Sequence, residues 1–216
     1  MSQASHLIQD PYVPLPAPGF EGINRYWDKK MDTAAAKIMP GEFYVSTHGE
    51  MIVTVLGSCI STCIRDRKLG IGGMNHFMLP IQGEHSGNWG GSSNSSAARY
   101  GNWAMEYLIN AILKLGGNKK DFEVKVFGGG KVLANTTDVG KNNISFVKEY
   151  LAAELLMTVA SDVGGIYPRK VLYFPDTGKV KMRRLIQVNN ATISERESTY
   201  RKSLDTAPKE GDIELF

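Results

Sequence analysis

Cysteine is scarce in these 216 residues: only Cys59 and Cys63 occur, four positions apart. That excludes the disulfide framework of a small secreted domain, and reduced thiols are expected. If both lie on one extended strand, four steps of about 3.3 Å hold the sulfurs too far apart for a disulfide or for one tetrahedral ion. The gap from His76 to His85 also exceeds zinc-finger spacing, so a zinc site built from Cys59, Cys63, His76 and His85 is disfavoured. Long apolar runs are missing too, which leaves no candidate for a membrane-spanning helix. The first residues, with Asp10 followed by Pro11, Pro14, Pro16 and Pro18, lack a signal-peptide apolar segment, so a cytoplasmic location is expected. Basic residues do not gather into a patch interleaved with aromatics; Arg183 and Arg184 read as solvated strand positions. A net charge of +3 and a pI near 8.7 suit contact with an acidic protein surface and do not point to nucleic acid.

What is present is an ordinary globular composition, 42% apolar and 22% charged, long enough for one substantial core. Residues 1–40 are rich in proline and glycine and read as an extended arm. From residue 41 the β-prone runs 43–45, 51–56 and 60–64 are separated by Gly49 and by Gly57-Ser58. After Gly70–Gly73 comes the apolar run 74–79, ended by Pro80. Residues 82–96 are polar and read as a surface loop carrying Trp89.

Tyr100, Trp103, Ala104, Tyr107, Leu108, Ala111, Ile112 and Leu115 recur at helical spacing. Ser95 or Ser96 can cap that helix and Gly116-Gly117 stops it; the aromatic stripe reads as core packing. A strand at 123–127 and a second helix around 143–155 follow, with Ile144, Val147, Leu151 and Leu155 on one face. Strands are expected at 157–161, 170–174 and 179–188. Strands on both sides of two main amphipathic helices predict an α+β or mixed α/β layered domain over residues 41–188. Residues 189–216 read as a polar C-terminal tail, frayed by default.

Chemistry concentrates around Cys59. An apolar run leads through Gly57 and Ser58 to the thiol, a turn able to present a nucleophile at a sheet edge. Gly57 would allow the sharp turn, and backbone amides near Ser58 and Cys59 could face a developing oxyanion. A thiol needs a base, and His76 follows after 76 − 59 = 17 residues. That is enough for one strand to leave, turn at 68–73 and return antiparallel beside it. Thr54 could orient the imidazole. Asn75, next to His76, and Trp89 are substrate-contact candidates. Phe127-Gly128-Gly129-Gly130-Lys131 fails as a phosphate loop, because Lys125 stands at the expected first glycine and Val132 at the Ser/Thr position; a tightly packed glycine turn is expected.

Leu56-Gly57-Ser58-Cys59, the stretch Gly73 to Pro80, Arg99-Tyr100-Gly101, Phe127-Gly128-Gly129, Asp162-Val163-Gly164-Gly165 and Gly178-Lys179-Val180 occur in the order seen in the chemoreceptor glutamine deamidases, CheD. Over residues 38–188 the chain resembles that family. The resemblance implies a layered α/β domain similar to the catalytic domain of Rho-deamidating bacterial toxins. It also implies a Cys-His-Thr triad, mapped onto Cys59, His76 and Thr54, that needs no metal or organic cofactor. The implied substrates are glutamines on the cytoplasmic helices of methyl-accepting chemotaxis receptors, with a CheC-type phosphatase as a further partner in some bacteria. The readings that compete are a non-catalytic regulatory partner of a chemotaxis phosphatase or receptor, and a papain-like protease.

Overall fold

The computed structural model describes residues 12–79, 96–132, 139–186 and 191–206. Trp89, His85, Ser95 and the chain's last ten residues lie outside that description. Among the described residues, ten strands form two five-stranded sheets. The first has the order β1 (Asn24–Asp28), β2 (Thr33–Lys37), β4 (Met51–Leu56), β9 (Arg169–Phe174), β10 (Lys179–Arg184). The second runs β3 (Phe43–Ser46), β6 (Gly72–Asn75), β5 (Ile60–Asp66), β7 (Phe122–Gly128), β8 (Thr158–Val163). Pairing is antiparallel except for β2 with β4 and β7 with β8, which makes both sheets mixed.

Period-two alternation divides the layers. On β4 and β9, Ile52, Leu56, Val171 and Tyr173 join the main core with the second sheet, whereas Met51, Val53, Leu172 and Phe174 gather on the opposite face. Helix α1 (Ser96–Lys114) packs on β3, β5 and β6, and α2 (Val139–Ala153) on β5 and α1. The expected α+β layered domain is what forms.

Four readings change. Residues 24–37, expected within an extended arm, form the β1–β2 hairpin, and Ala34, Ala35 and Ala36 are buried beside β4. Small side chains and a short turn were hidden behind the proline-rich start. On α1 the buried seam is Met105, Leu108, Ile109 and Ile112, while Trp103 is 39% and Tyr107 61% exposed. The helix is rotated from the aromatic stripe because Gly101 sits against Phe146 of α2, where a Cβ would meet the ring at 2.4 Å. Leu155 lies past the end of α2, at φ 56° and fully in solvent, so it does not continue that helix's apolar face. The polar tail contains a helix, α3 (Ala191–Thr206), discussed below.

Candidate active site

Cys59 sits where the chain leaves the first sheet for the second. β4 ends at Leu56, the chain bends at Gly57 and Ser58, and β5 begins at Ile60. Every carbonyl of this bend is pinned. Gly130 N–H donates to Gly57 O at 2.7 Å, Asn143 Nδ2 to Ser58 O at 2.8 Å, and Gly129 N–H to Cys59 O at 2.7 Å. Because a peptide's C=O and N–H point oppositely, fixing the first two carbonyls turns the N–H groups of Ser58 and Cys59 to the other side. The glycine run is a close-packed turn, as expected: at Gly128, φ 115°, a Cβ would fall 2.1 Å from Cys59 O.

The β5–β6 hairpin brings His76 alongside. Cys63 opposes Met74, Ile60 bridges Phe77, and this register sets His76 diagonally across from Cys59. The His76 backbone is held by Gly41 N–H and Glu42 O at 2.7 and 2.9 Å. Its Nδ1 lies 2.8 Å from Thr54 Oγ1, and Thr54 Oγ1 also donates to Ile38 O at 2.9 Å. A hydroxyl has one proton, and a carbonyl can only accept. Thr54 therefore gives its proton to Ile38 and accepts from Nδ1–H, which leaves Nε2 as the ring's lone-pair nitrogen. Nε2 is buried and has no hydrogen-bond partner among the described residues. Burial first, then the charge of Arg196, lowers the His76 pKa from 6.5 to about 3, so the ring is neutral.

A residue far along the chain completes the site. Glu197, on α3, accepts from the N–H groups of Gly57, Ser58 and Cys59 at 2.8, 2.8 and 3.3 Å and from Ser58 Oγ at 2.7 Å. The expected amides near Ser58 and Cys59 do converge on one anion. Gly57, however, is not in the left-handed region; its missing side chain matters because a Cβ would lie 2.7 Å from both Glu197 oxygens and from Val132 Cγ2. Cys59 Sγ, a His76 ring nitrogen and a Glu197 oxygen are within 4.8 Å of one another. Such a trio could suit a metal ion by distance, but both carboxylate oxygens are already engaged by four donors, so the set does not fit one. Burial first, then the Glu197 charge, pushes the Cys59 thiol well above its usual pKa.

Cys63 is buried on β5, opposite Met74 and Lys125 and away from this cluster. Asn75 is buried and its carboxamide is engaged: Oδ1 accepts from Thr62 N–H and Nδ2 donates to Ala104 O, tying β5 to α1. A cavity of about 240 Å³ opens beside His76, lined in part by Phe43, Asn75, Tyr100, Trp103 and Tyr107. The aromatic stripe of α1 thus rims this cavity. Sequence reasoning did not find Ile38, Asn143 or Glu197. Only Glu197 left a trace, as an acid between Ile193 and Tyr200 at steps of four and three.

Comparison with known proteins finds one family. A family model described as CheD chemotactic sensory transduction matches residues 78–184. That span starts just past His76, but curated relatives cover the rest. A protein of Halorhodospira halophila is 54% identical over 204 residues, 94% of each chain. One of Saccharophagus degradans is 49% identical over 92% of each, and one of Hahella chejuensis 47% identical over the full length of both. All three carry the name "Probable chemoreceptor glutamine deamidase CheD".

Proposed function

The chain belongs to the CheD family, and on that premise we propose that it is a protein-glutamine deamidase of chemotaxis receptors, with Cys59 as nucleophile, His76 as base and acid, and Thr54 holding the imidazole. The observation that carries the reading is the neutral His76, its Nδ1–H committed to Thr54 and its Nε2 without a hydrogen-bond partner among the described residues, beside a thiol whose flanking amides already bind an anion.

With a glutamine side chain in the cradle, Nε2 takes the Cys59 proton and Sγ attacks the carboxamide carbon. The carbonyl oxygen becomes an oxyanion held by the N–H groups of Gly57, Ser58 and Cys59. The imidazolium protonates the amide nitrogen, the C–N bond breaks, and ammonia leaves a thioester. Water then gives a proton to His76 and its oxygen attacks the same carbon. Sulfur departs with the imidazolium's proton, and glutamate remains. Protons and electron pairs balance within these groups and water, so the cycle calls for no metal or organic cofactor.

The reaction belongs in the cytoplasm, at the receptors' cytoplasmic helices, and the family resemblance supports a CheC-type phosphatase as a second partner. Intact-mass measurement of a receptor cytoplasmic fragment tests the scheme: amide-to-acid mass gains with wild type, absent with Cys59→Ala, are expected. Equal gains with both proteins sink it, and chain cleavage instead would mark a protease.

A further inference from the structure

Helix α3 presents Ile193, Glu197, Tyr200 and Leu204 at steps of four, three and four, one face of a helix. Ile193 and Glu197 are buried, and Tyr200 and Leu204 pack on the main core. The Tyr200 hydroxyl bonds that of Tyr100 on α1, and its ring lies against Gly41, where a Cβ would come within 3.0 Å. A carboxylate at the centre of such a face would ordinarily resist burial. Here it meets four donors, three of them the main-chain N–H groups flanking the nucleophile.

Those donors suit a carboxylate better than a carboxamide. Both Glu197 oxygens accept two hydrogen bonds each, whereas a carboxamide in the same pose would turn an NH2 group towards N–H donors. The group bound over Cys59 is therefore a glutamate side chain projecting from a helix. That is chemically what deamidation of a helical glutamine leaves behind.

We propose that α3 is a built-in product mimic: Glu197 occupies the position of the product glutamate, and a substrate helix must displace α3 to reach Cys59. The proposal rests on the deamidase reading for what the cradle is for, and it adds a register for recognition. A helix taking the same groove would carry large apolar side chains four residues before the reacting glutamine and three and seven residues after it, in the places of Ile193, Tyr200 and Leu204. With α3 seated, Cys59 is wholly buried and its thiol stays protonated under the neighbouring carboxylate, so the seated state is inactive.

The test begins with thiol alkylation of the full chain by iodoacetamide, followed by peptide mapping, with buried Cys63 as the internal control. Cys59 should be modified at least about tenfold faster in Glu197→Ala than in wild type, since local opening then governs access. Tyr200→Ala, which leaves the cradle untouched, should do the same if Glu197→Ala does not fold. Equal Cys59 rates in wild type and a folded variant overturn the cap. The register is tested by Glu197→Gln, which offers the enzyme a glutamine on its own helix. Residue 197 should be converted to glutamate in that chain and remain glutamine when Cys59→Ala is added. A Glu197→Gln chain that deamidates a receptor fragment yet keeps its own glutamine overturns the product register. Faster alkylation with no deamidation of any substrate by any variant supports the cap and removes the deamidase reading, so the two failures are distinct.

Discussion

Thr54 lies on the first sheet and His76, 22 residues later, just past the end of β6 in the second, yet Thr54 Oγ1 and His76 Nδ1 are 2.8 Å apart, with the hydroxyl's own proton committed to Ile38 O. This pair selects one imidazole tautomer. Thr54→Ala should therefore lower kcat about 10–100-fold, a part of what positioned acid–base catalysis contributes, with little change in KM. Thr54→Ser keeps the hydroxyl and should recover most of the rate. Steady-state deamidation of a receptor fragment decides it, and equal defects in both variants would point to lost packing instead.

The depressed His76 pKa carries a consequence for stability. Below pH 6.5 the unfolded chain takes up a proton on this ring, and the folded chain does not until about pH 3. Folding should thus lose stability as pH falls through that window, at up to about 1.4 kcal/mol per pH unit, and gain nothing from this group above pH 6.5. Urea melts of wild type and His76→Gln should show the wild type losing on the order of 2 kcal/mol more between about pH 7 and pH 5. Parallel pH profiles would refute the assignment.

Asn143 touches no reacting atom, but its carboxamide bridges Ser58 O and Leu79 N–H. It holds the 58–59 peptide with the Cys59 N–H in the anion cradle. Asn143→Ala should cost about tenfold in kcat, less than outright loss of an oxyanion donor. The carboxylate of Asn143→Asp cannot donate to Ser58 O and should rescue nothing. A change confined to KM would contradict this positioning role.

Deleting residues 1–40 should not trim a dispensable arm. It removes β1 and β2, uncovers the β4 edge that Ala35, Ala36 and Lys37 pair with, and takes away Ile38, the acceptor for Thr54. It also removes Arg25, which lies 3.7 Å from the buried Glu50. The truncated chain should aggregate or lose its cooperative melt; a stable, active truncation would refute the place of these strands in the fold.

Much of the fold was legible because it is written in local periodicity. The 51–56 and 60–64 runs are short and β-prone, the 68–73 turn is rich in glycine, and together they return His76 to Cys59 within one hairpin. Thr54 was within reach for the same reason, three residues before the apolar run breaks at Gly57. The rotation of α1 was not legible, since aromatic spacing does not say which helix, α2 here, will crowd against Gly101.

The sequence by itself determined the thiol–imidazole pair, the layered α+β class and the glycine turn, all consequences of short-range pattern and of residue types with few alternative uses. Tertiary structure alone decided that residues 24–37 close one edge of the first sheet. It also decided that Asn143 braces the Ser58–Cys59 peptide from 85 residues away and that Glu197 fills the cradle from 138 residues beyond Cys59. The reason is physical. Hydrogen bonds between distant segments are specified by where packing delivers their donors, and a polar residue carries no mark of which buried amides it will meet.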